Sequence, residues 1–360
     1  MVLIIAEAGV NHNGSDELAL ALVEAAAEAG ADVVKFQTFR AQKIVTKAAQ
    51  MASYQKINTG VEMTQFEMLS RLELSETAHK KIFRRCEELG IEFLSTAFDE
   101  DSLEFLVSEI GLKRLKLPSG EITNAPLVLA HAQTGLDIIV STGMATLSDI
   151  ESVLGVIAYG YLGHAGHSLG PPCKTAFREA YSSAEGRGLL EKKVTLLHCT
   201  TEYPAPMDEI NLSVMKTLKR AFSLPVGYSD HTLGIEVPVA ATALGACVIE
   251  KHFTLDKSMA GPDHRASLEP LELKNMVQSI RNVTRAIGRG VKTPTPSEIR
   301  NQKVARKSLV ACRSIVKGER LSSENISILR PGTGMSPYDY WETLGKLAPR
   351  DFAEGEPIHV

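Results

Sequence analysis

The chain has no excess of basic residues: 39 Lys and Arg stand against 43 Asp and Glu, a formal net charge of −4 over 360 residues. Without a basic field, nucleic acid and anionic membrane surfaces are excluded as partners. Paired cysteine spacing is also missing. Cys86, Cys173, Cys199, Cys247 and Cys312 are odd in number and far apart, which excludes the usual zinc and disulfide frameworks and fits a reducing cytoplasm. The opening stretch MVLIIAEAGVNHNG has no basic region and meets Glu7 early. It reads as a buried strand, not as a signal peptide or spanning helix. No G-x-G-x-x-G turn follows it, which removes the dinucleotide-binding variant of an open sheet.

What the chain does have is alternation. Short apolar runs at Leu3–Ala6, Val33–Gln37, Glu92–Ser95, Arg114–Leu117, Asp137–Ser141, Val194–His198, Pro225–Tyr228 and Cys247–His252 are separated by amphipathic stretches, the pattern of a parallel sheet with helical crossovers. In the first such helix Ser15 is the expected cap, Asp16 and Glu17 suit the dipole, and Leu18, Leu22, Ala25 and Ala29 form one face. Ala78, Ile82, Cys86 and Leu89 make a second stripe; Leu273, Met276, Val277, Ile280 and Val283 make a third. Eight units over residues 1–288 predict a (β/α)8 TIM barrel with its active site at the C-terminal strand ends. Residues 160–192, rich in Gly, Pro and His, read as a loop at the opposite face, with His164 and His167 as loop residues. Residues 289–301 read as a polar linker, and residues 302–360 as a small β-rich domain.

Strand side chains alternate, so each strand can be read for what it points inward. Lys35 and Gln37 share a face, as do Arg114 and Lys116, and as do Glu250 and His252, with Lys251 on the other face. The stretch VIEKHFTLDKSMAGPDH therefore reads as the last strand emptying its charges into the barrel mouth. His231 follows the seventh strand and His252 ends the eighth. Neighbouring strands lie about 4.8 Å apart, so the two imidazoles can converge on one divalent ion, with Glu7 or Asp263 available to complete its shell. Lys35 and Lys116 aimed into one cavity repel unless an anion joins them. A phosphorylated or carboxylated substrate would do so, Glu7 or Glu121 could neutralise them instead, and a Schiff-base lysine is a third possibility. Ser119-Gly120 and Ser141-Thr142-Gly143 supply hydroxyls and close backbone N–H groups of the kind found in phosphate sites.

These residues sit in motifs that resemble those of the sialic acid synthases: IIAEAGVNHNGS, VVKFQTF, FLSTAFDEDS, KLPSGEITN, IIVSTGMAT, LLHCTTEYPAP, GYSDHT, IEKHFTLDKSMAGPDH, ARKSLVA and LRPGTGMSP. The resemblance covers nearly the whole chain. It implies a (β/α)8 barrel followed by an antifreeze-like (SAF, β-clip) domain. It also implies a divalent metal, Mn²⁺ or Mg²⁺, on His231 and His252. Phosphoenolpyruvate would lie on Lys35, Thr96, Lys116, Ser119, Ser141, Thr201 and Ser229, where Thr201 departs from the Asn of some relatives. An N-acylated amino sugar would lie near Glu7, Gln37, Tyr203 and Asp263. A domain-swapped homodimer would bring Arg330 over the barrel mouth of its partner. The implied reaction condenses phosphoenolpyruvate, N-acetylmannosamine and water to N-acetylneuraminate and phosphate, with Glu7 and Glu121 stabilising charge and orienting water. The alternatives are an N,N'-diacetyllegionaminic acid synthase using 2,4-diacetamido-2,4,6-trideoxymannose, a Schiff-base pyruvate aldolase on Lys35 or Lys116, and a binding protein acting through its antifreeze-like tail.

Overall fold

Each of the eight apolar runs forms a strand in the computed structural model, which describes residues 1–359. The strands are β1 (Leu3–Gly9), β2 (Val33–Thr38), β3 (Glu92–Ala97), β4 (Arg114–Leu117), β5 (Asp137–Ser141), β6 (Val194–His198), β7 (Val226–Asp230) and β8 (Val248–His252). They close into one parallel barrel in sequence order. The first unit spans Met1–Gly288 and the second Arg289–Val360.

Register decides which side chains meet. Glu7 pairs with Lys35 on one side and His252 on the other, Gln37 with Thr96, Thr96 with Lys116, and Ser229 with Glu250. Polar groups at these paired positions therefore gather at one end of the barrel, with buried Ile5, Leu94 and Ile139 on the same strand faces below them and Ile4, Leu117 and Val140 buried on the opposite faces.

The helix Asp16–Ala29 starts where Ser15 accepts from the Leu18 N–H, as the sequence predicts. Its buried stripe is Ala19, Leu22, Val23, Ala26 and Ala29, with Leu18 and Ala25 half-buried along its edge. In Glu76–Leu89 the stripe likewise moves to Ala78, His79, Ile82 and Cys86, and Leu89 is exposed. In Pro270–Ile287 the expected stripe is buried through Ile280, and Val283 is half-buried.

Two segments depart from expectation. Residues 160–192 are mostly helical: Leu147–His164 runs through the first of them, and Lys174–Ser182 and Ala184–Lys193 follow. Gly160 is a packing contact rather than a turn, since a Cβ there would lie 2.5 Å from the Ala132 Cβ. His164 ends the first helix, and its Nδ1 donates to the Gln133 carbonyl at 2.9 Å, so it is not a loop residue. The linker also contains a helix, Pro296–Ala305, with Thr295 and Glu298 forming a capping box. None of its residues is buried, so it shows no apolar period, and the T-P-S-E start was the available signal.

The second unit pairs β9 (Ser308–Ala311) antiparallel with β10 (Ile326–Leu329). They lie over a core of Leu309, Ala311, Ile315, Leu321, Ile326, Ala348, Phe352 and Ile358.

Candidate active site

The C-terminal strand ends open into a cavity of about 430 Å³, lined by Glu7, Lys35, Gln37, Thr96, Lys116, Ser119, Glu121, Ser141, Thr201, Tyr203, Ser229, His231, His252 and Asp263. The barrel thus brings together every site residue expected of the first unit. Arg330 lies in the second unit, exposed, with its Nε donating to the Ala305 carbonyl at 2.9 Å.

The floor is built from charge. Lys35 meets Glu7 at 2.6 Å and Glu250 at 3.6 Å, while Lys116 meets Glu250 at 3.4 Å. Glu250 is thus shared by two buried lysines, a counter-charge that the alternation in I-E-K-H-F placed inward but to which no role was given. Its other partner is the Ser229 hydroxyl, which donates at 2.8 Å. Lys116 donates to Ser141 at 2.7 Å and Lys35 to Thr96 at 3.2 Å. Glu121 neutralises neither lysine; it accepts from Asn124 at 2.7 Å.

This arrangement separates the two carboxylates. Burial pushes Glu7 up to about 7, against the pull of Lys35. Burial acts the same way on Glu250, but Lys116 and Lys35 outweigh it and hold that group at about 2. One carboxylate is therefore poised near neutrality and the other stays charged, a split that suits acid–base work at the first.

His231 and His252 stand 5.7 Å apart between ring centroids. Nδ1 of His231 donates to the Thr200 carbonyl at 2.5 Å, which fixes the tautomer and leaves a lone pair on Nε2. Nδ1 of His252 is buried without a hydrogen-bond partner. Burial lowers both pKa values, so both rings are neutral near pH 7. Tyr203 lies against His231 at 4.1 Å and meets His252 edge-on at 5.6 Å. Two neutral imidazoles, one with an unsatisfied buried nitrogen, are a donor set that fits a divalent ion. Neither Glu7 nor Asp263 joins them as a direct ligand: among the described residues no third His, Cys, Asp or Glu completes such a cluster. Glu7 is instead drawn to Lys35.

Behind the histidines, Lys251 and Asp230 form a fully buried ion pair on the outer face of β7 and β8. Lys251 also donates to the Thr232 carbonyl at 2.6 Å. The pair ties together the two strands that carry His231 and His252.

On the β4–β6 side, Ser119 Oγ accepts from the Gly143 N–H at 3.0 Å. A Cβ on Gly143 would lie 2.3 Å from Thr201 Oγ1 and 2.9 Å from Ser119 Oγ, so only glycine allows the two hydroxyls to approach. Thr201 Oγ1 is buried with no partner, an unmet hydrogen bond at the position noted above as a departure from the Asn of some relatives.

Asp263 is buried to 8% exposure, and burial alone pushes it up to about 6. The folded state therefore binds its proton more tightly than the unfolded chain, and the stability it offers falls as pH rises from the ordinary carboxylate range through about 6. Asp263→Asn is expected to raise stability at pH 8 by about 2–3 kcal/mol, using roughly 1.4 kcal/mol per pKa unit, and to change little at pH 4. Thermal melts at the two pH values test this; an equal gain at both would contradict it. His264 turns to Thr254 at 2.6 Å and Asn13 at 3.2 Å and does not line the cavity.

Part of the remaining lining was not anticipated: Tyr54 and Gln55 from the helix Ser53–Thr59, and an apolar side from residues 39–72. Most of these residues sit on short helices whose pattern does not tell a cavity wall from ordinary packing, so the sequence offered no signal for them.

Comparison with known proteins places this geometry. The NeuB family matches over residues 22–292 and the SAF domain over residues 306–359. The N,N'-diacetyllegionaminic acid synthase of Campylobacter jejuni is 48% identical over 356 residues, 99% of this chain and 98% of that protein. The N,N'-diacetyllegionaminic acid synthase of Legionella pneumophila is 47% identical over 355 residues, 99% and 92% of the two. The crystal structure of N-acetylneuraminic acid synthetase from Leptospira borgpetersenii, in complex with citrate, matches with a TM-score of 0.65 at 32% identity, covering 83% of this chain and 90% of that one.

Proposed function

The chain belongs to the NeuB family, and we propose that it is an enzyme condensing phosphoenolpyruvate with 2,4-diacetamido-2,4,6-trideoxymannose and water to give N,N'-diacetyllegionaminate and phosphate. The acceptor expected from the sequence, N-acetylmannosamine, gives way to this alternative because both relatives at 47–48% identity over essentially the whole chain are legionaminic acid synthases. The observation that carries the reaction class is the pair of buried lysines held by one shared carboxylate, Glu250, beside two neutral histidines in a single cavity.

Lys35 and Lys116 supply positive charge for the phosphate and carboxylate of phosphoenolpyruvate. Thr96, Ser119, Ser141, Thr201 and Ser229 supply hydroxyls, and the unpartnered Thr201 Oγ1 gains a hydrogen bond when the anion arrives. His231 and His252 would hold a divalent ion, Mn²⁺ or Mg²⁺, which when bound supplies Lewis-acid polarisation of an aldehyde oxygen.

The methylene carbon of phosphoenolpyruvate attacks the aldehyde carbon, forming the C–C bond, and the aldehyde oxygen takes a proton to become a hydroxyl. Positive charge develops at the former enol carbon. The ionised form of Glu7 stabilises that charge and accepts a proton from the water that adds there. Glu121 at the rim orients that water. The resulting adduct then breaks its bond to the bridging oxygen, its hydroxyl proton passes to the departing phosphate, which leaves with that oxygen on Lys35 and Lys116, and the carbonyl of the 2-keto acid remains. Gln37, Tyr203 and Asp263 bind the sugar. A domain-swapped homodimer would add Arg330 of a second copy.

The test is phosphate release from phosphoenolpyruvate with Mn²⁺, offering the diacetamido-trideoxy sugar and N-acetylmannosamine separately, with mass spectrometry of the products. Turnover of the first that a chelator abolishes supports the reading. Turnover of N-acetylmannosamine alone restores the sequence-based acceptor, and borohydride trapping of a pyruvate adduct would instead indicate the aldolase.

A further inference from the structure

The cavity is polar on one side and apolar on the other. Strands β4 to β8 contribute hydroxyls, imidazoles and carboxylates, whereas the segment after β2 presents Phe39, Ile44, Val45, Met68, Leu69 and Leu72. Ile44, Val45 and Leu69 are half-buried, with surface left open to a ligand. Behind them Val10, Phe39, Met51, Met68 and Leu72 form a separate small core. Ala41 N–H donates to Glu73 at 2.6 Å and Gln65 N–H to the Ala49 carbonyl at 2.9 Å, which ties in place the wall's two short helices, Ala41–Ile44 and Gln65–Leu72. The wall is therefore a supported surface. The polar side chains beside it in the cavity are amides, Gln55 and Gln65, and the Tyr54 hydroxyl.

We propose that this wall determines acceptor specificity: Ile44, Val45 and Leu69 receive the methyl end of a 6-deoxy sugar, and Gln55 and Gln65 pair with its distal acetamido group. The inference rests on the function proposed above and adds which atoms of the acceptor are selected, and by which residues. The physical basis is asymmetric. A methyl group buried on such a wall gains its transfer free energy. A terminal hydroxyl in the same place loses water and finds aliphatic carbon instead. The preference for the deoxygenated end is about 10- to 100-fold, the scale on which apolar pockets discriminate.

The experiment compares two acceptors that differ at one atom, 2,4-diacetamido-2,4,6-trideoxymannose and its 6-hydroxy counterpart, by kcat/KM at saturating phosphoenolpyruvate. The wild-type enzyme is expected to favour the 6-deoxy sugar by at least about 10-fold. Leu69→Gln is expected to bring the ratio below about 3-fold, with the KM for phosphoenolpyruvate unchanged, while Leu69→Met keeps the preference; a merely structural effect would lower both sugars together. Equal use of the two acceptors by the wild type, or an unchanged ratio in Leu69→Gln, overturns this inference and leaves the proposed reaction standing. Turnover of N-acetylmannosamine with neither diacetamido sugar overturns both.

Discussion

Replacing His231 or His252 with alanine is expected to lower turnover by at least about 10³-fold, roughly 4 kcal/mol of transition-state stabilisation, while the barrel stays folded. The two rings are well placed to hold a ligand and poorly placed to satisfy one another. His231 is oriented by the Thr200 carbonyl on one side of its ring and by Tyr203 against its face. His252 keeps a buried nitrogen without a partner, a condition that costs about 1–3 kcal/mol unless something binds there. Removing His252 therefore removes a destabilising feature along with some packing, and its apparent stability without metal is expected to change little. Added Mn²⁺ gives the readout that does not depend on activity. It should raise the melting temperature of the wild type, by linkage to the folded state, and should not do so in either variant. Equal shifts in all three proteins, or full activity in either variant, would sink the assignment of these histidines.

Much of this site was legible because period-2 alternation fixes which strand residues face inward. Lys35, Gln37, Lys116, Glu250 and His252 all follow from it, and register then brings Glu7 level with Lys35 and His252. Alternation says nothing about how charges pair. The sequence left Glu7 or Glu121 as partners for the lysines; Glu7 does meet Lys35, but Glu250 is the group shared between the two lysines and Glu121 turns to Asn124. The lining carried by the segment after β2 was invisible for a different reason. Ile44, Val45 and Leu69 look like ordinary amphipathic residues, and only the folded segment shows that part of their surface remains uncovered. Glycine misled in the opposite direction, since Gly160 marks a close helix contact and not a loop.

The second large effect is expected from Glu250→Gln. The substitution keeps the shape of the side chain and its hydrogen bond with Ser229, and removes the one charge that stands between Lys35 and Lys116. Breaking a buried ion network from one side costs about 3–5 kcal/mol where a charge is left buried and uncompensated; here that charge is Lys116, since Lys35 keeps Glu7 at 2.6 Å. The unliganded variant should therefore melt well below the wild type. Phosphoenolpyruvate brings its own negative charges to the same place, so it should recover much of the loss; ligand at a hundredfold excess over Kd returns about 2.7 kcal/mol. The ligand-induced rise in melting temperature should accordingly be larger in the variant than in the wild type. A change at Glu7 follows from the same substitution. Burial is the main cause holding Glu7 up to about 7, and the negative charge of Glu250 adds to it. With Glu250 neutral, Glu7 should ionise at lower pH, and the acid limb of the kcat/KM profile should move downward even as the maximum rate falls. A variant as stable as the wild type without ligand, or one whose melting temperature phosphoenolpyruvate does not raise, would show that the two lysines do not form the anion site. An acid limb that stays in place would show that the ionisation governing it belongs to a group other than Glu7.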